Sequence, residues 1–209
     1  MMLNRKKKSS HTIERILSAA RKVFAEKGYS GARVDEIAKR AKVNKATLYY
    51  QIGDKDILYA NVIHQVIASV AQGLAEAVAQ APNPEEKLKT FISFIADAVD
   101  KNPDLPPIMM REIASGGATL PGVVVEDIAS VIGVLVGILK KGEEEGVFVE
   151  TSPFLVHMMI MGTILFYKKA APIKERSAWI PEQLKAYDKP IGDHLGEAVA
   201  AMVLKAVKK

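Results

Sequence analysis

The chain has no cysteine among its 209 residues. A disulfide framework, a zinc–thiolate site and a cysteine nucleophile are therefore excluded. Aromatic residues are scarce at 6%, with a single tryptophan. Glycine and proline number 14 and 10, too few for a collagen-like or low-complexity chain. The hydrophobic share of 49% is too high for a disordered one. No long uninterrupted apolar run is present either. The longest, Phe154 to Tyr167, contains His157 and falls short of the ~20 residues of a spanning helix. The basic N-terminus is followed by polar residues and not by the apolar core of a signal peptide. These features point to a cytoplasmic protein with no membrane partner, and the length suits one large domain or two small ones.

Charge is present but unevenly placed. Residues 1–60 hold 14 Lys+Arg against 6 Asp+Glu, a net of +8, while the remainder holds 15 against 18, a net of −3. A basic block on a mildly acidic, apolar body suggests a module that faces nucleic acid, attached to a body with another task. Arg5, Lys6, Lys7 and Lys8 supply half of the excess and form a basic arm, expected to be flexible over residues 1–11. Such an arm can grip phosphates or the minor groove, or serve only solubility.

Helical periodicity runs through nearly the whole chain. Ile13, Ile16, Leu17, Ala20, Val23 and Phe24 repeat at helix spacing, with Thr12 as a cap and Gly28 as the stop. A short helix with Val34, Ile37, Ala38 and Ala41 on one face follows, then a break at Lys42-Val43. Asn44 caps a third helix that Gly53 closes, and Asp54 caps a long fourth helix to about Gln80. Asn83-Pro84-Glu85-Glu86 is a strong start signal for the next helix, which ends near Lys101. Asn102 to Pro107 is a proline-rich break before a short helix at Ile108 to Ala114. Further helices are expected at Pro121–Glu145, Phe154–Ala171 and Asp193–Lys209. The segment Pro172 to Pro190 is expected to be irregular, with a short helix at Glu182 to Tyr187. The fold class is all-α: a three-helix N-terminal domain (12–53) and a C-terminal helical bundle (54–209).

The pair of helices around Lys42 has helix-turn-helix geometry, whose second helix enters the major groove. Leu48 points to the core, which leaves Lys45, Ala46, Thr47 and Tyr49 outward. Lysine suits phosphate or guanine, threonine suits phosphate or a thymine methyl, and an aromatic ring suits methyl or sugar.

The stretch from Ala38-Lys39-Arg40 through Asn44-Lys45-Ala46-Thr47-Leu48-Tyr49-Tyr50 to Lys55-Asp56-Ile57-Leu58 resembles the signature of the TetR (tetracycline-repressor) family. So does the preceding helix with Ala19-Ala20, Phe24 and Lys27-Gly28-Tyr29, and the resemblance covers residues 12 to 60. It implies a homodimeric transcriptional regulator, usually a repressor, that binds a palindromic double-stranded operator. The C-terminal domain would then hold a small-molecule pocket and the dimer interface. At matching positions it implies DNA contacts by Lys45, Thr47 and Tyr49. Tyr50 matches a position that packs in the core or reaches a phosphate, and Lys55 matches a phosphate-binding lysine. Four positions depart from the pattern. Lys42 stands where glycine is usual, at a cost of about 1 kcal/mol if φ is positive. Asn44 replaces a capping serine and is counted with the DNA-facing residues. Gln51-Ile52 replaces His-Phe, and Arg33 stands where a capping Thr or Ser is common, adding a possible phosphate contact.

The remainder carries weaker signals. The Phe154–Tyr167 stretch is apolar nearly all round, so one face should bury in the core and the other against a second subunit. With the last helix of each subunit it would form a four-helix interface. Gly133 and Gly137 suggest close helix packing. A pocket for a largely apolar effector would draw on His64, Phe91, Phe94, Met109, Met110 and Met158. His64 and His157 stand without a second ligand at metal spacing, so no metal and no cofactor are expected. Arg111-Glu112 reads as a pair of surface charges. Lipase, P-loop and H-E-x-x-H motifs are missing, which argues against an enzyme and leaves no catalytic residue to name. The competing reading is a helical protein that binds DNA through phosphates alone, without sequence preference or inducer.

Overall fold

The structure is a computed structural model. It describes the backbone of residues 2–176, 191 and 194–209, and the side chains of residues 10–170, 191 and 194–209. Among the described residues the chain forms nine helices: α1 (Met2–Gly31), α2 (Val34–Arg40), α3 (Lys45–Gln51), α4 (Lys55–Gln80), α5 (Pro84–Lys101), α6 (Leu105–Ala114), α7 (Gly122–Glu144), α8 (Pro153–Arg176) and α9 (Leu195–Val207). They group into two compact units. The first takes residues 1–69 and 102–128, and the second takes 70–101 and 129–209. The helices α4 and α7 each contribute to both.

In the first unit, α1 buries Ile16, Leu17, Ala20, Val23 and Phe24, the row that the periodicity sets out. The helix begins at Met2, not at Thr12. No glycine or proline lies between residues 2 and 27, so nothing local stops helical backbone from running back through the basic segment expected to be a flexible arm. At its other end Gly28 breaks the helix with φ 69° and ψ 177°. That conformation is open to glycine and costly for other residues. The break is sealed from α6. Arg111 donates to the carbonyls of Ala25 at 2.6 Å and Glu26 at 3.1 Å, the orphan acceptors of the last turn. Its neighbour Glu112 is only 4% exposed and accepts hydrogen bonds from the hydroxyls of Tyr59 and Thr119, each at 2.5 Å. The pair expected on the surface is thus split. Adjacent helical residues point about 100° apart, so one reaches α1 and the other the core. Leu105, Pro106 and Pro107, expected in a break, form the first turn of α6, where a missing N–H costs nothing.

In the second unit, α5 starts as its signal predicts, with Glu86 N–H donating to Asn83 Oδ1 at 2.9 Å. Its buried row is Leu88, Phe91, Ile92, Ile95 and Ala96. The helix α9 packs chiefly on this helix and also on α8. It ends at Val207, short of the chain terminus. The last residues leave the helix to pair antiparallel with the segment after α7: Val149 N–H donates to Val207 O at 2.8 Å and Lys209 N–H to Val147 O at 3.1 Å. Phe148 in that segment is 1% exposed and lies over Gly142, where an added Cβ would sit 2.0 Å from its ring. Only glycine fits there. The Gly133–Gly137 pair, by contrast, meets no neighbour within 4 Å, so the close packing expected of it is not made among the described residues.

The helix α8 runs past Pro172 to Arg176, into the segment expected to be irregular. A proline forfeits one ladder bond but leaves the residues after it free to hold helical dihedrals. The short helix expected at Glu182 to Tyr187 lies outside the described residues. Two helices, α4 and α7, are long and apolar enough by length and composition to cross a bilayer, which a search for uninterrupted runs overlooks. In the structure both carry core residues, Leu58, Val62 and Ile63 on α4 and Val124, Leu135 and Ile138 on α7.

Candidate nucleic-acid interface

The reading helix is built by local rules. Asn44 Oδ1 accepts from the N–H of Thr47 at 2.6 Å, satisfying an orphan donor and starting α3. Leu48 is wholly buried and fixes the rotation of the helix. With that one side tied down, Lys45 and Tyr49 share one flank at i, i+4 spacing and Ala46 and Tyr50 the next. Tyr49 is 44% exposed and Tyr50 is 87% exposed. Of the two places open to Tyr50, the core is therefore excluded. Thr47 is half-buried between these flanks. Arg33 is exposed at the start of α2 and makes no side-chain cap, as its replacement of Ser or Thr implies.

The turn between α2 and α3 holds Lys42 at φ 53°, the one non-glycine residue with positive φ among those described. The helix ends in a Schellman motif: Lys42 N–H donates to Lys39 O and Val43 N–H to Ala38 O, at 3.1 and 3.0 Å, in place of the ordinary i→i−4 ladder. Arg15 of α1 also reaches this turn. That contact was not foreseen from the sequence, because a cation–carbonyl contact across 26 residues leaves no local pattern.

Electrostatically the block is less bare than its charge count suggests. Lys45 Nζ lies 2.9 Å from Asp35 Oδ1, and this contact holds the lysine above its ordinary pKa. Arg40 bridges Glu26 and Glu36, each at 2.7 Å, and Lys27 binds Glu36 at 2.5 Å. These exposed pairs are screened by solvent and stabilise little. Their effect here is to organise the cations of α1 and α2. Lys55 Nζ sits 4.4 Å from the centre of the Tyr29 ring. The Tyr29 hydroxyl donates to Asp56, which raises its pKa to about 12. Tyr29 in turn packs against Phe24 and Tyr59, with ring centres 6.5 and 5.0 Å away. Lys55 is thereby held at the start of α4 by an aromatic cluster rooted in the core. Asp54 caps that helix by accepting from Ile57 N–H at 2.9 Å.

The residues expected to line an effector pocket are divided between the units. His64, Met109 and Met110 belong to the first, and all three are half-buried. Phe91, Phe94 and Met158 belong to the second. Phe91 is wholly buried, Phe94 lies over Gly73, and Met158 is 44% exposed on the outer face of α8. His64 is not isolated, because its Nδ1 lies 2.7 Å from Asp127 Oδ2. That partner stands 63 residues away and is invisible to any spacing rule. Among the described residues no three His, Asp or Glu side chains gather to hold a metal.

The helix α8 is apolar on both sides but buried on one. Val156, His157, Ile160, Ile164 and Leu165 face inward. Leu155, Met158, Met159 and Phe166 form an outward stripe, 43 to 66% exposed, with Phe154 beside it. Met202 on α9 is 61% exposed.

Comparison with known proteins bears on both halves. Residues 16–62 match the model of the tetR family of bacterial regulatory proteins, and residues 84–177 match that of a tetracyclin repressor-like C-terminal domain. The chain is 29% identical over 168 residues to the HTH-type transcriptional repressor NicS of Pseudomonas putida, covering 78% of each. It is 27% identical over 150 residues to the fatty acid metabolism regulator protein of Bacillus subtilis, covering 71% of this chain and 77% of that one. Among solved structures it is similar to HlyIIR, a hemolysin II transcriptional regulator, with a TM-score of 0.72 and 26% identity over 96% of this chain and 99% of that one. By name, all three relatives are regulators.

Proposed function

Because the chain belongs to the tetR family of bacterial regulatory proteins, it is a ligand-responsive DNA-binding transcriptional regulator, and we propose how its own residues carry that role. Two copies read a palindromic operator, each seating α3 in the major groove, at half-sites ~34–36 Å apart. The observation that carries this reading is the division of α3 into one buried residue, Leu48, and an exposed surface of Lys45, Tyr49 and Tyr50. Lys45 reaches a guanine edge or a phosphate, Thr47 a phosphate or a thymine methyl, and Tyr49 a methyl or a sugar. To do so Lys45 exchanges Asp35 for DNA, so the acidic residue taxes loose phosphate binding. Tyr50, Arg33 and Lys55 grip the phosphate backbone, and Asn44 sets the start of the helix.

The dimer forms through α8 and α9. The stripe of Leu155, Met158, Met159 and Phe166 is the kind of contiguous apolar surface that marks an interface. The effector is a small, largely apolar molecule. Of the residues expected to line its pocket, His64, Met109 and Met110 of the first unit keep part of their surface free for it, and the Bacillus subtilis relative, a fatty acid metabolism regulator, favours an apolar effector. Binding would release DNA by favouring a spacing of the two reading helices that the operator does not fit. The protein works in the cytoplasm, where its operator is.

The test is Lys45→Ala on a selected operator and on random duplex at one salt concentration. A base-reading lysine predicts that the gap between the two affinities narrows. An equal loss on both would reduce Lys45 to a phosphate contact. Release of the operator complex by a long-chain fatty acid or its thioester supports the apolar effector, and indifference to a panel of such compounds counts against it.

A further inference from the structure

Arg15 lies outside the reading surface, yet its side chain ends at the centre of the helix-turn-helix. Its Nε donates to Ala41 O at 3.2 Å, and its Nη2 donates to Ala41 O at 2.5 Å and to Lys42 O at 2.9 Å. Ala41 closes α2, and Lys42 is the residue whose φ of 53° turns the chain toward α3. Three facts combine here. The end of a helix leaves carbonyls without donors and a partial negative charge, which a cation satisfies. A left-handed backbone is costly for any residue with a Cβ. A guanidinium is a planar fork that can hold two successive carbonyls at once, which an ammonium on a flexible stem does not do. Arg15 is itself anchored, since Ile16, Ala19 and Ala20 beside it on α1 are buried.

We propose that Arg15 is a positioning residue for operator recognition: by clamping the Ala41 and Lys42 carbonyls it fixes the turn that aims α3, and so makes a lysine serviceable where glycine would adopt the conformation without strain. It touches no DNA in this role. The proposal rests on the reading of α3 as the DNA-recognition helix.

The experiment measures affinity for two duplexes at one salt concentration, an operator selected with the wild-type protein and a random sequence of equal length. Arg15→Ala is expected to weaken operator binding about tenfold, the weight of one displaced base contact. Random duplex should change less than about twofold, because phosphate attraction tolerates a loosened turn. Lys42→Gly in the Arg15→Ala background should restore most of the loss. Should Arg15→Ala not fold, Arg15→Lys keeps the charge and loses the fork, and the same selective loss and the same rescue are expected. Unchanged operator affinity, an equal loss on both duplexes, or a failure of Lys42→Gly to rescue would each overturn the proposal while the wild type still discriminates. A wild type that does not discriminate overturns the recognition-helix reading, and this proposal with it.

Discussion

Phe166 offers the sharpest test of the subunit interface. It sits in the outward stripe of α8 and is 66% exposed. A buried aromatic side chain covers roughly 150–250 Å², so Phe166 has on the order of 130 Å² left to bury. At ~25 cal/mol/Å² that is about 3 kcal/mol per copy. A two-fold interface contains the residue twice, so Phe166→Ala should cost the dimer about 6 kcal/mol, or roughly 10⁴-fold in its dissociation constant. Phe166→Asp adds two charges to an apolar setting and should leave monomers at micromolar concentration. Sedimentation velocity reads the result directly, and circular dichroism confirms that the exposed substitution leaves the helices intact. A dimer of Phe166→Asp as tight as the wild type would refute the reasoning, because it would place the interface elsewhere.

Three further outcomes concern the fold. Gly142→Ala would place a methyl 2.0 Å from the buried Phe148 ring, displacing the ring and the paired terminus for about 1–3 kcal/mol or more; thermal unfolding should show a fall of several degrees, and an unchanged midpoint would contradict the close approach. Tyr59→Phe removes a donor from the buried carboxyl of Glu112. Leaving this buried acceptor one donor short costs about 1–3 kcal/mol, which should lower the urea midpoint, and a variant of unchanged stability would mean that Thr119 alone suffices. His157 is buried with no partner for Nδ1 among the described residues, and burial holds its pKa below the ordinary 6.5. The folded protein resists protonating it, so its contribution is present above the unfolded-state pKa and is lost as pH falls below that value. Between pH 7.5 and 5.5 the wild type should therefore lose more stability than His157→Leu, and parallel curves would contradict the assignment.

What the sequence disclosed was mostly local. The caps at Asn44, Asp54 and Asn83 lie three residues from the N–H groups that they accept from, and each forms the hydrogen bond that its position implies. Leu48 was assigned to the core and Lys45 and Tyr49 to the outside by helical spacing alone, which suffices when one side of a short helix is apolar. The misreadings involve partners far along the chain. Glu112 was taken for a surface charge because its donor Tyr59 lies 53 residues earlier, and Arg111, exposed as expected, was not linked to its acceptors Ala25 and Glu26, more than 80 residues earlier. Asp127 and the pairing of Phe148 with Lys208 escaped for the same reason. The N-terminal limit of α1 was misjudged for another reason: Thr12 is a good cap, but residues 2–11 hold no breaker that obliges the helix to start there. For α8, nearly all-round apolarity suggested burial on both faces and could not tell the two apart. Only the structure showed which residues face inward and which remain exposed.

The central claim is that the basic N-terminal block reads sequence and does not merely attract phosphate. A nuclease footprint on the DNA flanking the protein's own gene, taken at moderate salt, tests it most directly. The account predicts protection of an inverted repeat whose half-site centres lie about one helical turn apart. Uniform protection, or none at a salt concentration that suppresses phosphate-only binding, would contradict it.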